Sequence, residues 1–92
     1  MLGNKPFKIV YLQDVIENDI PILPPTMRLR IRSAIEERIA TDPISFGKPL
    51  RYSLKEHRRL RVGDYRIVYR IEAEHSRVII VAIKHRKIIY DY

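Results

Sequence analysis

His57-Arg58-Arg59-Leu60-Arg61-Val62-Gly63-Asp64-Tyr65-Arg66-Ile67-Val68-Tyr69-Arg70-Ile71 reads as two strands folded about the tight turn Gly63-Asp64. Side chains alternate between the two faces of a strand, so parity assigns each residue. Leu60 and Val62 fall on one face of the first strand, with His57, Arg59 and Arg61 on the other. In the second strand Tyr65, Ile67, Tyr69 and Ile71 share a face, and Arg66 and Arg70 flank Val68 on the opposite one. If the apolar sides pack together, Arg59, Arg61, Arg66 and Arg70 project together from the other surface. Like charges on neighbouring strands repel and weaken a sheet. Such a cluster needs carboxylate partners or an anion, and only Asp64 and Glu56 lie near it in the sequence.

The rest of the chain supplies the framework. Upstream, Phe7 to Leu12 reads as a first strand, and Asp14 is placed to cap a short helix through Val15, Ile16 and Ile20, limited by Pro21. A second helix starts at Pro25 and carries Met27, Ile31, Ala34, Ile35 and Ile39 as its buried stripe. Thr41-Asp42-Pro43 stops it, and residues 43–56 read as a loop. Downstream, a polar turn over Glu72–Ser76 leads into a strand from Arg77 to Lys84, apolar on both parities from Val78 to Ile83, as a central strand would be. His85 to Tyr92 forms a short tail. The expected architecture is α+β: two N-terminal helices on one face of a small antiparallel sheet, in the order β-α-α-β-β-β, within one domain spanning residues 1–92.

Charge divides the chain. Residues 48–92 hold twelve Lys and Arg against five acids and so carry the whole net charge of +7, whereas residues 1–47 balance at six of each sign. Because the cations are interleaved with Leu, Val, Ile and Tyr, they belong to strands and form a rigid basic surface, suited to a phosphate-rich partner. A membrane surface would call for a basic amphipathic helix instead. The absence of cysteine excludes disulfides and thiolate metal sites. His57, His75 and His85 lack metal-site spacing, so no metal and no cofactor are expected. With no apolar run long enough for a signal peptide or a membrane span, the expected compartment is the cytoplasm.

Three stretches then carry a family resemblance: Phe46-Gly47-Lys48-Pro49-Leu50-Arg51, Arg59 through Tyr69, and His85-Arg86-Lys87-Ile88-Ile89-Tyr90. Together they resemble the RelE/ParE superfamily of bacterial toxins from type II toxin–antitoxin systems, over nearly the whole chain. The resemblance implies one of two activities. RelE-type members enter the ribosomal A site and cut mRNA; ParE-type members poison DNA gyrase. A third possibility is a non-catalytic module that binds antitoxin and helps repress its operon. The tail favours the RelE-like branch. The resemblance further implies a cognate antitoxin as partner, the ribosome and mRNA as targets, operator DNA contacted only through the antitoxin, and no membrane.

The functional features of RelE-like ribonucleases fall on Arg59, Arg66, Arg86 and Tyr90, with Arg61 as a supporting cation. RelE-type members often place lysines where this chain has His57 and Arg59. Metal-free RNA cleavage uses the 2′-hydroxyl as nucleophile and needs one proton removed, one donated and the phosphorane charge stabilised. Guanidinium groups suit the last task. Arg66 and Arg86 are therefore assigned to the scissile phosphate, Arg59 and Arg61 to the phosphorane or flanking phosphates, and Tyr90 to the general base or to orienting the nucleophile, with His57 and His85 as the alternative acid–base pair. Arg70, Lys55 and Arg58 complete the candidate phosphate contacts. Tyr65 and Tyr69 belong to the core by parity, and Tyr52 is a candidate for stacking on RNA. The apolar groove between the second helix and the sheet edge is the expected antitoxin dock.

Overall fold

The computed structural model describes residues 6–51 and 56–88. Its centre is a five-stranded sheet of β1 (Lys8–Tyr11), β2 (Lys48–Pro49), β3 (Arg58–Val62), β4 (Tyr65–Glu72) and β5 (Arg77–His85), in the order β1-β5-β4-β3-β2. The β2–β3, β3–β4 and β4–β5 pairs are antiparallel, as the tight turns between the last three strands require. β1 joins β5 in parallel, Lys8 opposite Arg77 and Tyr11 opposite Ile80, so the sheet is mixed where an antiparallel one is expected from sequence. That pairing places β5 inside the sheet, and Val78, Ile79, Ile80, Ala82 and Ile83 are buried along it.

Helices cover one face. A π-helical turn at Val15–Asp19 follows β1, and α1 (Pro25–Ala34) runs into a π-helical continuation at Ile35–Ile39. Pro25 opens α1, where its missing N–H is not needed. The wider turn closes through Ala40 N–H to Ile35 O at 2.8 Å, and both Ile35 and Ile39 remain buried. The Thr41 hydroxyl then donates to the Glu37 and Arg38 carbonyls, ending the helix. Ile31, Ala34, Ile35 and Ile39 pack on Leu60, Val62, Ile67, Tyr69, Ile80 and Ile83. Each large aliphatic side chain buried here contributes about 1.5–3 kcal/mol. The exposed Arg32–Glu36 pair at 3.1 Å contributes well under about 1 kcal/mol. The core therefore decides the fold.

Two features depart from the sequence expectation. Residues 43–49 are not loop: Asp42 accepts from Ser45 N–H and caps a short helix α2 (Pro43–Phe46), which leads into β2. Asp42-Pro43 ends one helix and starts another, since proline at the first helical position is favourable. Gly47 follows because a Cβ there would fall 1.7 Å from the Tyr69 hydroxyl oxygen. The second departure is a β-bulge. Glu72 pairs with Arg77, but Val68 pairs with Ala82 while Tyr69 pairs with Ile80, leaving Val81 as the extra residue on β5.

Candidate nucleic-acid interface

Parity and register agree about the surface away from the helices. Arg61 lies directly opposite Arg66, and Arg59 opposite Val68. Arg59, Arg61, Arg66 and Arg70 therefore share a face, as expected. The bulge adds a cation the sequence reading missed. Pairing continued unbroken from Glu72–Arg77 would set Arg66 opposite Ile83; the extra Val81 sets it opposite Lys84 and turns Ile83 into the core instead. Arg61, Arg66 and Lys84 thus form one row across β3, β4 and β5, spanning roughly 10 Å at ordinary strand spacing. Lys48, opposite Arg59, begins the adjacent row. No local signal in the sequence marks Val81 as a bulge, so the register of Lys84 was not legible.

Carboxylates treat these cations unequally. Among the described residues, no carboxylate forms a salt bridge with Arg59, Arg61 or Arg66. The Arg66 Nε is buried and has no hydrogen-bond partner among them. Arg70, by contrast, donates to Glu72 at 3.0 Å, and Glu72 also accepts from Arg77 at 2.7 Å. The Arg77 hydrogen bond, with Arg70 adding to it, holds the Glu72 carboxyl below the ordinary glutamate range. That end of the face is therefore internally compensated. Lys84 donates to Asp19 at 2.6 Å, and the other Asp19 oxygen accepts Ile83 N–H at 2.8 Å. Asp19 is only 1% exposed and caps the edge of β5 beyond the end of β1. Lys84 is thereby held at its place in the row.

The remaining candidates scatter. Arg58 turns to the opposite face and donates to the Ile44 and Gly47 carbonyls at 2.7 and 2.8 Å, clamping α2 to β3; it is a structural arginine and is removed from the phosphate-binding set. Tyr69 is fully buried and its hydroxyl donates to Pro43 O at 2.6 Å; burial pushes its phenol up, against the opposing effect of Arg58. His57 precedes β3 and is buried, 6% exposed. His85 lies opposite Tyr65, their rings edge to face at 5.2 Å, and its Nδ1 accepts Lys87 N–H at 3.2 Å. A neutral His85 therefore carries its proton on Nε2. Arg86 sits in the turn after β5 rather than on the last strand. Its N–H donates to Asp64 O at 2.7 Å, and its side chain lies 3.4 Å from the Asp64 carboxylate, both groups being well exposed. This places Arg86 at the same end of the sheet as Arg61, Arg66 and Lys84. Tyr90, Lys55 and Tyr52 lie outside the described residues.

Two clefts border β3, one of them beyond its short pairing with β2. One of about 380 Å³ separates β3 from α1 and includes Arg30, Glu37, Arg38, Arg61 and Val62, so it is more polar than the apolar groove expected there. The other, about 300 Å³, is lined by Phe46, Lys48, Arg59, Leu60 and Arg61. An apolar groove of about 210 Å³ lies on the far side, between α1 and β5, with Leu23, Ile31, Ile35 and Ile83 in its lining. No group of three or more His, Cys, Asp or Glu that would hold a metal occurs among the described residues. No helix among them is long and apolar enough to cross a membrane.

Residues 10–90 match the family described as the ParE toxin of the type II toxin–antitoxin system, parDE. The chain is 40% identical over 76 residues to Toxin RelG of Mycobacterium tuberculosis, which covers 78% of this chain and 83% of that one. It is 42% identical over 52 residues to Toxin RelE of the same organism, covering 56% and 54%. The structure of the toxin–antitoxin complex RelBE2 from Mycobacterium tuberculosis aligns with a TM-score of 0.81 at 30% identity, covering 89% of this chain and 93% of that one. The isolated E. coli RelE toxin shares the fold, with a TM-score of 0.71 at 17% identity over 86% and 83%. By architecture the protein is a RelE-type α+β protein. By descent it is a toxin: the chain belongs to the ParE toxin family of type II toxin–antitoxin systems, with RelE-like relatives.

Proposed function

We propose that this toxin is a ribosome-dependent mRNA endoribonuclease of the cytoplasm, held inactive by a cognate antitoxin that supplies the only contact to operator DNA. The observation that carries the reading is the row Arg61–Arg66–Lys84 with Arg86 at its end, in which Asp19 and Asp64 pair Lys84 and Arg86 while Arg61 and Arg66 form no salt bridge among the described residues. Like charges set directly opposite one another weaken a sheet unless an anion lies against them. A phosphorane, which carries extra negative charge in the transition state, does benefit from several fixed guanidinium groups.

In the reaction the RNA 2′-hydroxyl attacks the adjacent phosphorus. The bond to the 5′-oxygen breaks, leaving a cyclic phosphate and a free 5′-hydroxyl. Arg66 and Arg86 hold the scissile phosphate, and Arg59 and Arg61 take the flanking phosphates or the phosphorane charge. Tyr90 is the proposed base that takes the 2′-hydroxyl proton, and a histidine, of which His85 is the more accessible, returns a proton to the leaving oxygen. An acidic antitoxin segment lying in the basic cleft beside β3 blocks this surface by charge competition.

Primer extension on mRNA in a translating extract tests the proposal, with new 5′ ends expected inside translated codons. Arg66→Ala and Arg86→Ala should each lower cleavage by about 10²–10³-fold while the proteins stay folded. The ParE-type resemblance implies a second reading, gyrase poisoning, which predicts loss of supercoiling with mRNA intact.

A further inference from the structure

Among the described residues, Phe46 is the aromatic one of the exposed large hydrophobic side chains, 48% exposed at the end of α2. Its position is fixed from several sides. Asp42 caps the front of α2, the Tyr69 hydroxyl holds Pro43 O, and Arg58 holds the carbonyls of Ile44 and Gly47. The next residue, Gly47, is pressed against the Tyr69 hydroxyl. A turn anchored in this way has little freedom to fold its last side chain into the core. Leaving a phenyl ring in water forgoes the free energy its burial would bring.

The ring shares a cleft of about 300 Å³ with Lys48, Arg59 and Arg61, of which Lys48 and Arg59 are cross-strand neighbours. A fixed aromatic face beside a track of cations is the combination that binds single-stranded nucleic acid: the ring stacks on a base while the cations take its phosphates.

We propose that Phe46 is a stacking platform for one base of the RNA strand, next to the linkage held by the arginine row, with Lys48 and Arg59 on that nucleotide's phosphates. This rests on the reading of the basic face as an RNA surface and adds a base-contacting subsite to it.

The test measures binding of a fluorescein-labelled hexaribonucleotide and of inorganic tripolyphosphate to the purified toxin and to Phe46→Leu and Phe46→Trp. Phe46→Leu keeps an apolar side chain but removes the ring, and should weaken the hexaribonucleotide about tenfold with tripolyphosphate affinity unchanged. Phe46→Trp should retain RNA affinity, and its indole fluorescence should be quenched on adding RNA. Equal RNA binding by the wild type and Phe46→Leu would overturn the subsite and leave the RNA surface standing. So would parallel losses for both probes. A wild-type toxin that binds tripolyphosphate but no RNA would remove the RNA surface and the subsite together.

Discussion

Arg61 and Arg66 face each other on adjacent strands with no carboxylate between them among the described residues. Like charges in this position destabilise a sheet by a few tenths of a kcal/mol. Arg61→Gln should therefore leave stability unchanged or raise it by up to about 0.5 kcal/mol in urea unfolding, while cleavage in a translating extract falls. A loss of stability instead would mean that Arg61 holds the fold together. Glu72 makes the opposite case, since its carboxyl is held below its ordinary range chiefly by Arg77. A carboxyl depressed in the folded state adds stability above the unfolded value, and loses it as pH falls through the depressed one. Wild type should exceed Glu72→Gln in urea unfolding at neutral pH, and the gap should close in acid. A gap that persists in acid would trace to packing rather than to charge.

The β5 bulge is the element on which the site turns, because one extra residue moves Lys84 onto the arginine face and Ile83 into the core. Asp19 secures that arrangement by accepting from both Ile83 N–H and Lys84 Nζ. Asp19→Ala leaves the edge N–H and the ammonium without this carboxylate and should cost about 2–3 kcal/mol. For a protein of this size that is a fall of roughly 10–20 °C in Tm. A Tm within a degree of wild type would show that β5 keeps its register without the cap. The β3–β4 hairpin was legible because Gly63-Asp64 fixes its turn and strict alternation fixes its faces. The buried stripe of α1 was legible from its spacing. α2 and β2 were not, because Pro43 was read only as the end of the preceding helix when it also begins the next. Arg58 was misplaced because its role depends on carbonyls 11 and 14 residues away, which no local pattern displays. The bulge, and with it the place of Lys84, is set by pairing across strands and leaves no mark in the order of residues.

At the scale of the whole molecule, a net charge of +7 does not by itself make a binding site; its distribution does. One end of the basic face is compensated internally by Glu72, between Arg70 and Arg77. The other end presents Lys48, Arg59, Arg61 and Arg66. Binding a single strand releases counterions, and log K falls with log salt by about 0.7 per phosphate neutralised. If those four side chains each meet one phosphate, the slope for a hexaribonucleotide should be about −3. Arg61→Gln should make it shallower by about 0.7, because one contact is lost. Arg70→Gln should leave the slope unchanged, because that guanidinium already sits on Glu72. Titrations across a range of potassium chloride concentrations separate the cases. Equal effects of the two substitutions would mean that RNA senses only total charge, whereas a slope that responds to Arg61 and not to Arg70 locates the strand at the end of the sheet where Arg61, Arg66 and Lys84 align.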